Sequence, residues 1–279
     1  MPVISTNNAA NSALNYLNNN SSKETNLLSQ LASGSRVVQA SDDAAGLAIG
    51  TQLNANATVY QQDSTNVSQG TAILQSADGA LAQISNVLQR MMALATEAAS
   101  GQVTNAQRSQ DINTEYQQLK TEITSIVSST TYAGQTLLTG SFLSNVKFLV
   151  GTMSSNTLTI SVKSVSVGTG TTGLLGSSGS TVSSAATAMS AINRINSAIN
   201  TVTQDRAKIG AYESQFSFSG QDIATNIQNI SAAASVVMDA DVASVKATLS
   251  ATDVKTQASV AALTQASQLP QELLRLIQS

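Results

Sequence analysis

Pro2 and Pro270 are the only prolines in this chain, so the long stretch between them lacks the one residue that both removes a backbone donor and forces a helix to break. Within that stretch apolar residues recur on a seven-residue repeat at both ends, while the middle turns to glycine, serine and alternating β-branched residues. The pattern predicts a mainly α fold: an elongated antiparallel helical bundle or coiled coil formed by both chain ends, with a small β-hairpin region at the turn. At 279 residues the chain exceeds a single average domain. The expected division is 1–41 plus 239–279 as a terminal coiled coil, and 42–238 as a rod of long helices with its tip at about 140–184.

Composition limits the chemistry. Charged residues are 10% and aromatics 3%, and His, Cys and Trp are absent. Without His or Cys the chain lacks the usual general base near neutral pH, the usual thiolate nucleophile and the commonest zinc ligands, so neither enzymatic activity nor a metal or other cofactor is expected. The net charge of −3, with no stripe of Lys or Arg, argues against nucleic acid as a partner. The opening MPVISTNNAANSALNYL has neither the cationic nor the apolar region of a cleavable secretory signal, and no run of about 18 apolar residues predicts insertion into a membrane.

The longest periodic signal is Leu74, Ala77, Leu81, Ile84, Leu88, Met91, Ala95 and Ala98, alternating steps of three and four along one helical face. A seam so narrow requires partner helices. Ser41, followed by Asp42 and Asp43, is the expected start of this helix and Gly101 its expected stop, a length of about 90 Å. The repeat resumes at Ile112, Tyr116, Leu119, Ile123 and Ile126, which predicts a second helix folding back on the first. It appears again at Ala185, Ala188, Ile192, Ile195, Ile199 and Val202, and continues through Phe216, Ile223, Ile227, Ile230, Ala234 and Val237. Leu158, Ile160 and Val162 alternate with polar residues and predict a strand paired with Lys147 to Val150. Gly168, Gly170, Gly173, Gly176 and Gly179 mark a flexible tip, whose Ser and Thr residues from Ser164 to Ser184 are candidates for O-linked sugars.

The terminal arms have sparser seams. Leu14, Leu17, Leu28 and Leu31 fit a heptad frame interrupted by Ser21 and Glu24, and Val242, Val245 and Leu249 are separated from Val260 and Leu263 by a polar stretch. Such helices are marginal alone in water, so both arms are expected to be mobile in a monomer and to become ordered against neighbouring copies. The acidic pairs Asp42 with Asp43, Asp239 with Asp241, and Asp111 with Glu115 read as caps, solvated faces or bundle contacts rather than acid/base or metal sites.

Four blocks of sequence then match known words. SGSRVVQASDDAAGLAIG, from Ser33 to Gly50, resembles the N-terminal signature of bacterial flagellins, and NTEYQQLKTEITSIVSSTTYAGQTLL, from Asn113 to Leu138, resembles their helix-to-hairpin junction. RAKIGAY, from Arg206 to Tyr212, and the stretch from Asp239 to the end resemble the C-terminal half of the same family. About 45 residues separate Gly140 from Ala185, so the resemblance is to a short form without large outer domains.

The resemblance implies a structural subunit of the bacterial flagellar filament, exported through the flagellar type III apparatus and polymerised helically for motility. It implies an extracellular location, with self, the cap and hook-junction proteins and an export chaperone as partners. Leu14, Leu17, Leu28, Leu31, Val245, Leu249, Leu263 and Leu273 are the expected assembly contacts, against a plainer reading in which several close an intramolecular pair. Gln89, Arg90, Leu94 and Glu115 fall on the site read by a Toll-like receptor in this family, while Met92 and Ala93 depart from the charged residues usual there. Alternatives are a hook-filament junction protein, and a type III secreted adhesin or glycan-binding protein whose β tip carries the ligand site.

Overall fold

The computed structural model describes residues 7–139, 143, 145–162, 174 and 181–278, with side chains through 268 and at 270. In chain order the elements are α1 (Asn8–Ser33), α2 (Ala44–Ala99), α3 (Asn105–Gln107), a π-helical turn (Arg108–Ile112), α4 (Asn113–Ser129), β1 (Thr131–Tyr132), β2 (Gln135–Thr136), β3 (Val146–Leu149), β4 (Thr157–Ile160), α5 (Ala185–Met238) and α6 (Val242–Gln278). The chain forms two compact units. One comprises residues 1–57 with 228–279, the other residues 58–227. These divisions fall inside α2 and α5, whereas the sequence pointed to the helix breaks near 41 and 239.

The central unit is built on the periodic seam. Leu74, Ala77, Leu81, Ile84, Leu88, Met91, Ala95 and Ala98 are all 0% exposed. Tyr116 and Ile123 of α4, and Ala188, Ile195, Val202 and Phe216 of α5, are equally buried in the same core. Each fully buried Leu or Ile contributes about 1.5 to 3 kcal/mol. The helices lie antiparallel, as two ion pairs mark: Arg206 clamps Asp78 through Nε and Nη2 at 2.8 and 3.1 Å, and Arg90 reaches Glu115 at 2.7 Å. That Asp78 partnership raises the Arg206 pKa above its ordinary value, with its charge reinforcing the hydrogen bonds.

The break after α2 is made by Arg108. This buried guanidinium donates to the carbonyls of Ala98 and Ser100, the latter at 2.7 Å, and to Asn105 Oδ1 at 2.8 Å, so it covers the Ala98 carbonyl at the helix end and shares that of Ser100 with the Val103 N–H at 3.5 Å. Thr104 then starts the next helix with a capping box closed by Gln107. Gly101 lies two residues beyond the end of α2 and touches nothing within 4 Å of a built Cβ.

Two hairpins follow α4. The first, β1 with β2, turns at Ala133 and Gly134, both with positive φ (50° and 80°), the mirror-image turn that suits the twist of paired strands. The second pairs Val146 to Leu149 with Thr157 to Ile160, Lys147 opposite Thr159 and Phe148 opposite Leu158. Leu158, Ile160 and Val162 are buried and Thr159 is exposed, the alternation expected from sequence. Phe148 stacks edge-on against Phe216 with centroids 5.3 Å apart, and Ser161 N–H donates to the Tyr212 hydroxyl at 3.3 Å, which fastens this hairpin to α5. Gly168, Gly170, Gly173, Gly176, Gly179 and most of the span from Ser164 to Ser184 lie outside the described residues.

In the terminal unit α1 and α6 pair along their lengths. No residue of α1 is buried. Polar rungs mark the register: Asn20 Nδ2 donates to Ser259 Oγ at 3.1 Å, and Thr256 Oγ1 donates to Glu24 Oε2 at 3.3 Å. Among the described residues no helix is long and apolar enough to cross a membrane.

Candidate assembly site

Two linkers meet in the terminal unit and seat its helices. The first, Gly34 to Asp43, joins α1 to α2; the second, Asp239 to Asp241, joins α5 to α6. Gly34 ends α1 in a left-handed conformation (φ 70°), with its N–H bonded to the Gln30 carbonyl. Its own carbonyl accepts from Ala240 N–H at 2.9 Å, while Arg36 N–H donates to the Met238 carbonyl at 2.6 Å, so the linkers run as a short antiparallel bridge. Arg36 Nη2 adds a bond to the Val237 carbonyl at 2.8 Å and an ion pair to Asp43 at 3.6 Å. Val37 is buried beneath them.

Three of the four linker aspartates act on backbone. Asp43 Oδ1 accepts from Gly46 N–H at 2.8 Å and is the N-cap of α2, which starts at Ala44 rather than after Ser41. Asp42 Oδ2 folds the preceding loop by accepting from Val38 and Gln39 N–H. Asp241 Oδ1 caps α6 through Ala243 and Ser244 N–H, and Asp239 accepts from Ser235 Oγ at 2.6 Å. Ser41 loses the capping role because the loop places Asp43, not Ser41, directly before the first residue of the helix.

Along its helices and linkers the terminal unit keeps apolar side chains in the open. Leu14 is 43% exposed, Leu28 49%, Val254 65% and Val260 46%, and Tyr16, Val38, Ile49 and Val242 are exposed with them. Of the other expected assembly contacts, Leu17, Leu31, Val245 and Leu263 are half-buried. Leu249 is 6% exposed, already covered within its own chain, so it belongs to the intramolecular pair. The Leu273 side chain lies outside the described residues.

The receptor-like cluster lies in the central unit. Arg90 and Glu115 are partly exposed and paired to each other, and Gln89 is exposed beside them. Leu94 is 2% exposed and packed in the core, so it presents nothing for another protein to touch. Its place in the helical seam, one step from Ala95 and three from Met91, already carried that signal.

Two buried aspartates escaped the sequence reading. Asp63 and Asp205 are each 1% exposed, and in each Oδ2 has no partner; Asp205 Oδ1 holds Lys208 at 3.1 Å. Desolvation raises the Asp63 pKa above its ordinary value, and burial pushes the Tyr116 phenol up to about 12. Both aspartates fall in register with the apolar seams of their helices, which is the signal that finds them. Among the described residues no group of three or more His, Cys, Asp or Glu is placed to hold a metal ion.

The geometry therefore offers paired terminal helices, an ordered joint and an uncovered apolar surface. Comparison with known families assigns it. The description "Bacterial flagellin N-terminal helical region" matches residues 4–142, and "Bacterial flagellin C-terminal helical region" matches residues 192–277. The chain belongs to the bacterial flagellin family. It is 32% identical to a flagellin of Listeria monocytogenes over 95% of both chains, and 31% identical to a flagellin of Bacillus subtilis over 98% of this chain and 99% of that one. It is also 29% identical to the flagellar filament 30.7 kDa core protein of Treponema maltophilum over 90% of each. A crystal structure of Bacillus cereus flagellin matches 61% of this chain and 94% of its own with a TM-score of 0.48 and 29% identity. Flagellins are structural proteins, and membership supports a role as a filament subunit. At 279 residues this flagellin is a short form.

Proposed function

We propose that this flagellin leaves the cell through the flagellar type III apparatus and polymerises helically into a filament that serves motility. The observation that carries the reading is α1: a helix of 26 residues with no buried side chain, paired with α6 through polar rungs while Leu14 and Leu28 stay in the open. A helix with so little cover of its own is stabilised by what packs on it. A second copy supplies that cover if the contact is heterologous and does not close into a ring, so that addition continues as a helix. Residues 1–41 and 239–279 then form the filament core, and 42–238 the surrounding rod.

The partners that accompany this reading are further copies, the cap and hook-junction proteins and an export chaperone. Recognition by a Toll-like receptor would rest on Gln89, Arg90 and Glu115 alone. The test is electron microscopy after seeded polymerisation of the full chain beside a chain lacking residues 240–279. Long filaments from the first and none from the second support the reading; short collars or persistent monomers from the full chain overturn it.

A further inference from the structure

Met238 ends α5 with its thioether lying on the backbone of α2. A Cβ built on Gly50 falls 2.3 Å from Met238 Sδ and 2.4 Å from its Cγ, so the sulfur occupies the space that any larger residue at Gly50 would fill. The Met238 carbonyl also accepts from Arg36 N–H at 2.6 Å and from the Ser35 hydroxyl at 3.0 Å. One residue thus ties together α2, the end of α5 and the linker that leaves α1. Beside it opens a cavity of about 160 Å³ lined by Asn54, Ser231, Ala234, Ser235, Met238 and Asp239. That space admits a molecule of a few atoms to the partly exposed side chain, and its hydroxyl and amide lining suits a polar one.

We propose that Met238 is a modification site, oxidised by hydroperoxides to the sulfoxide, and that this oxidation unfastens the joint seating both terminal helices. The sulfur lone pair attacks one peroxide oxygen, the O–O bond breaks as the S–O bond forms, and with hydrogen peroxide the departing hydroxide takes the remaining proton and leaves as water. Sulfur is oxidised by two electrons and the peroxide is reduced by two. The product carries a polar S=O group where an apolar sulfur had lain against helix backbone whose N–H groups are already used within the helix. It must turn into the cavity toward Asn54 and Ser231 or leave its seat, and either movement withdraws the sulfur from Gly50.

The other methionines are internal controls. Met153 and Met189 are 66% and 60% exposed, where a sulfoxide is simply hydrated, and Met91 is 0% exposed and shielded from oxidant. Met92 packs against the core of the central unit, where its oxidation is read separately.

The experiment treats the purified full-length monomer with limiting hydrogen peroxide, maps each methionine by peptide mass spectrometry and follows amide exchange in the same peptides. Met238 sulfoxide is expected to form in the folded chain and to speed exchange at residues 44–54 and 231–239 by about tenfold or more. Met238→Leu keeps the slow exchange under the same dose, while a chain carrying Met153→Leu and Met189→Leu together loses it. The proposal is overturned if Met238 stays unmodified while Met153 and Met189 are converted, or if its sulfoxide leaves exchange unchanged. Met238→Leu losing protection as fully as the parent chain overturns it as well.

Discussion

Asn7 Nδ2 donates to the carbonyl of Ala266 at 2.6 Å, joining the start of α1 to the last turns of α6. Ala266 stands four residues before Pro270, which lies inside the helix and has no N–H to offer that carbonyl. Asn7 Oδ1 meanwhile accepts from Ala10 N–H at 3.0 Å and caps α1. One side chain therefore begins one helix and fills the hydrogen-bond gap in the other.

Asn7→Ala is expected to destabilise the terminal pair by about 1 to 2 kcal/mol, the sum of a lost cap and an unsatisfied carbonyl. Pro270→Ala restores the N–H, so in that background the cost of Asn7→Ala falls to the cap alone. A double-mutant cycle read by amide exchange in α1 and α6 checks the coupling. Equal costs in both backgrounds would show that Asn7 does not serve the gap left by Pro270.

Leu88→Ala empties a site that is 0% exposed in the middle of the α2 seam and is expected to destabilise the central unit by about 2 to 5 kcal/mol. Urea unfolding of the monomer checks it. A loss below about 0.5 kcal/mol would mean that the seam is not the core it is described to be.

Arg108→Ala removes the donors that cover the Ala98 and Ser100 carbonyls and is expected to cost about 1 to 3 kcal/mol. Arg108→Lys recovers little of this, because an ammonium cannot reproduce the planar fork that reaches Ala98, Ser100 and Asn105 together. Thermal unfolding of both variants gives the comparison, and full rescue by Lys would contradict the geometry.

Asp63 sets a pH dependence. Desolvation raises its folded pKa above the ordinary 3.8, so the folded chain holds this proton to higher pH than the unfolded chain does. The contribution from the protonated group is complete below the unfolded value and is lost as pH rises through the folded one, leaving a buried carboxylate with Oδ2 unpartnered. Asp63→Asn is therefore expected to be more stable than the parent at pH 7, by about 1 to 3 kcal/mol, with the advantage shrinking toward pH 4. Denaturation at several pH values measures it. A parent chain more stable at pH 7 would reverse the sign.

Much of the central unit could be read from spacing alone. A three-four repeat of Leu, Ile and Ala is a statement about one helical face, and every member of the α2 seam from Leu74 to Ala98 is buried where that face meets α4 and α5. The β3–β4 hairpin was legible for the same reason, since a period of two has few other readings. Contacts that depend on a side chain meeting a distant backbone were not legible: Asn7 with Ala266, Arg108 with Ala98, and Met238 over Gly50 leave no periodic trace. The start of α2 at Ala44 was missed by a residue or two because Ser41, Asp42 and Asp43 are all capable caps, and only the fold of the loop chooses among them. Leu94 and Leu249 show the converse, that an apolar residue offered for an external contact can already be covered within its own unit.

The central claim is that copies of this flagellin cover the apolar side chains that its own terminal helices leave open. The most direct measurement is the critical concentration for seeded polymerisation of the parent chain and of Leu14→Gln with Leu28→Gln, both first shown to have the same monomer unfolding transition. Each leucine is about half covered already, so its burial on assembly contributes about half of the roughly 1.5 to 3 kcal/mol of a fully buried side chain. The double variant is therefore predicted to need at least about tenfold more protein to form filaments. An unchanged critical concentration would contradict the account, since it would mean that filaments grow without covering the face that α1 presents.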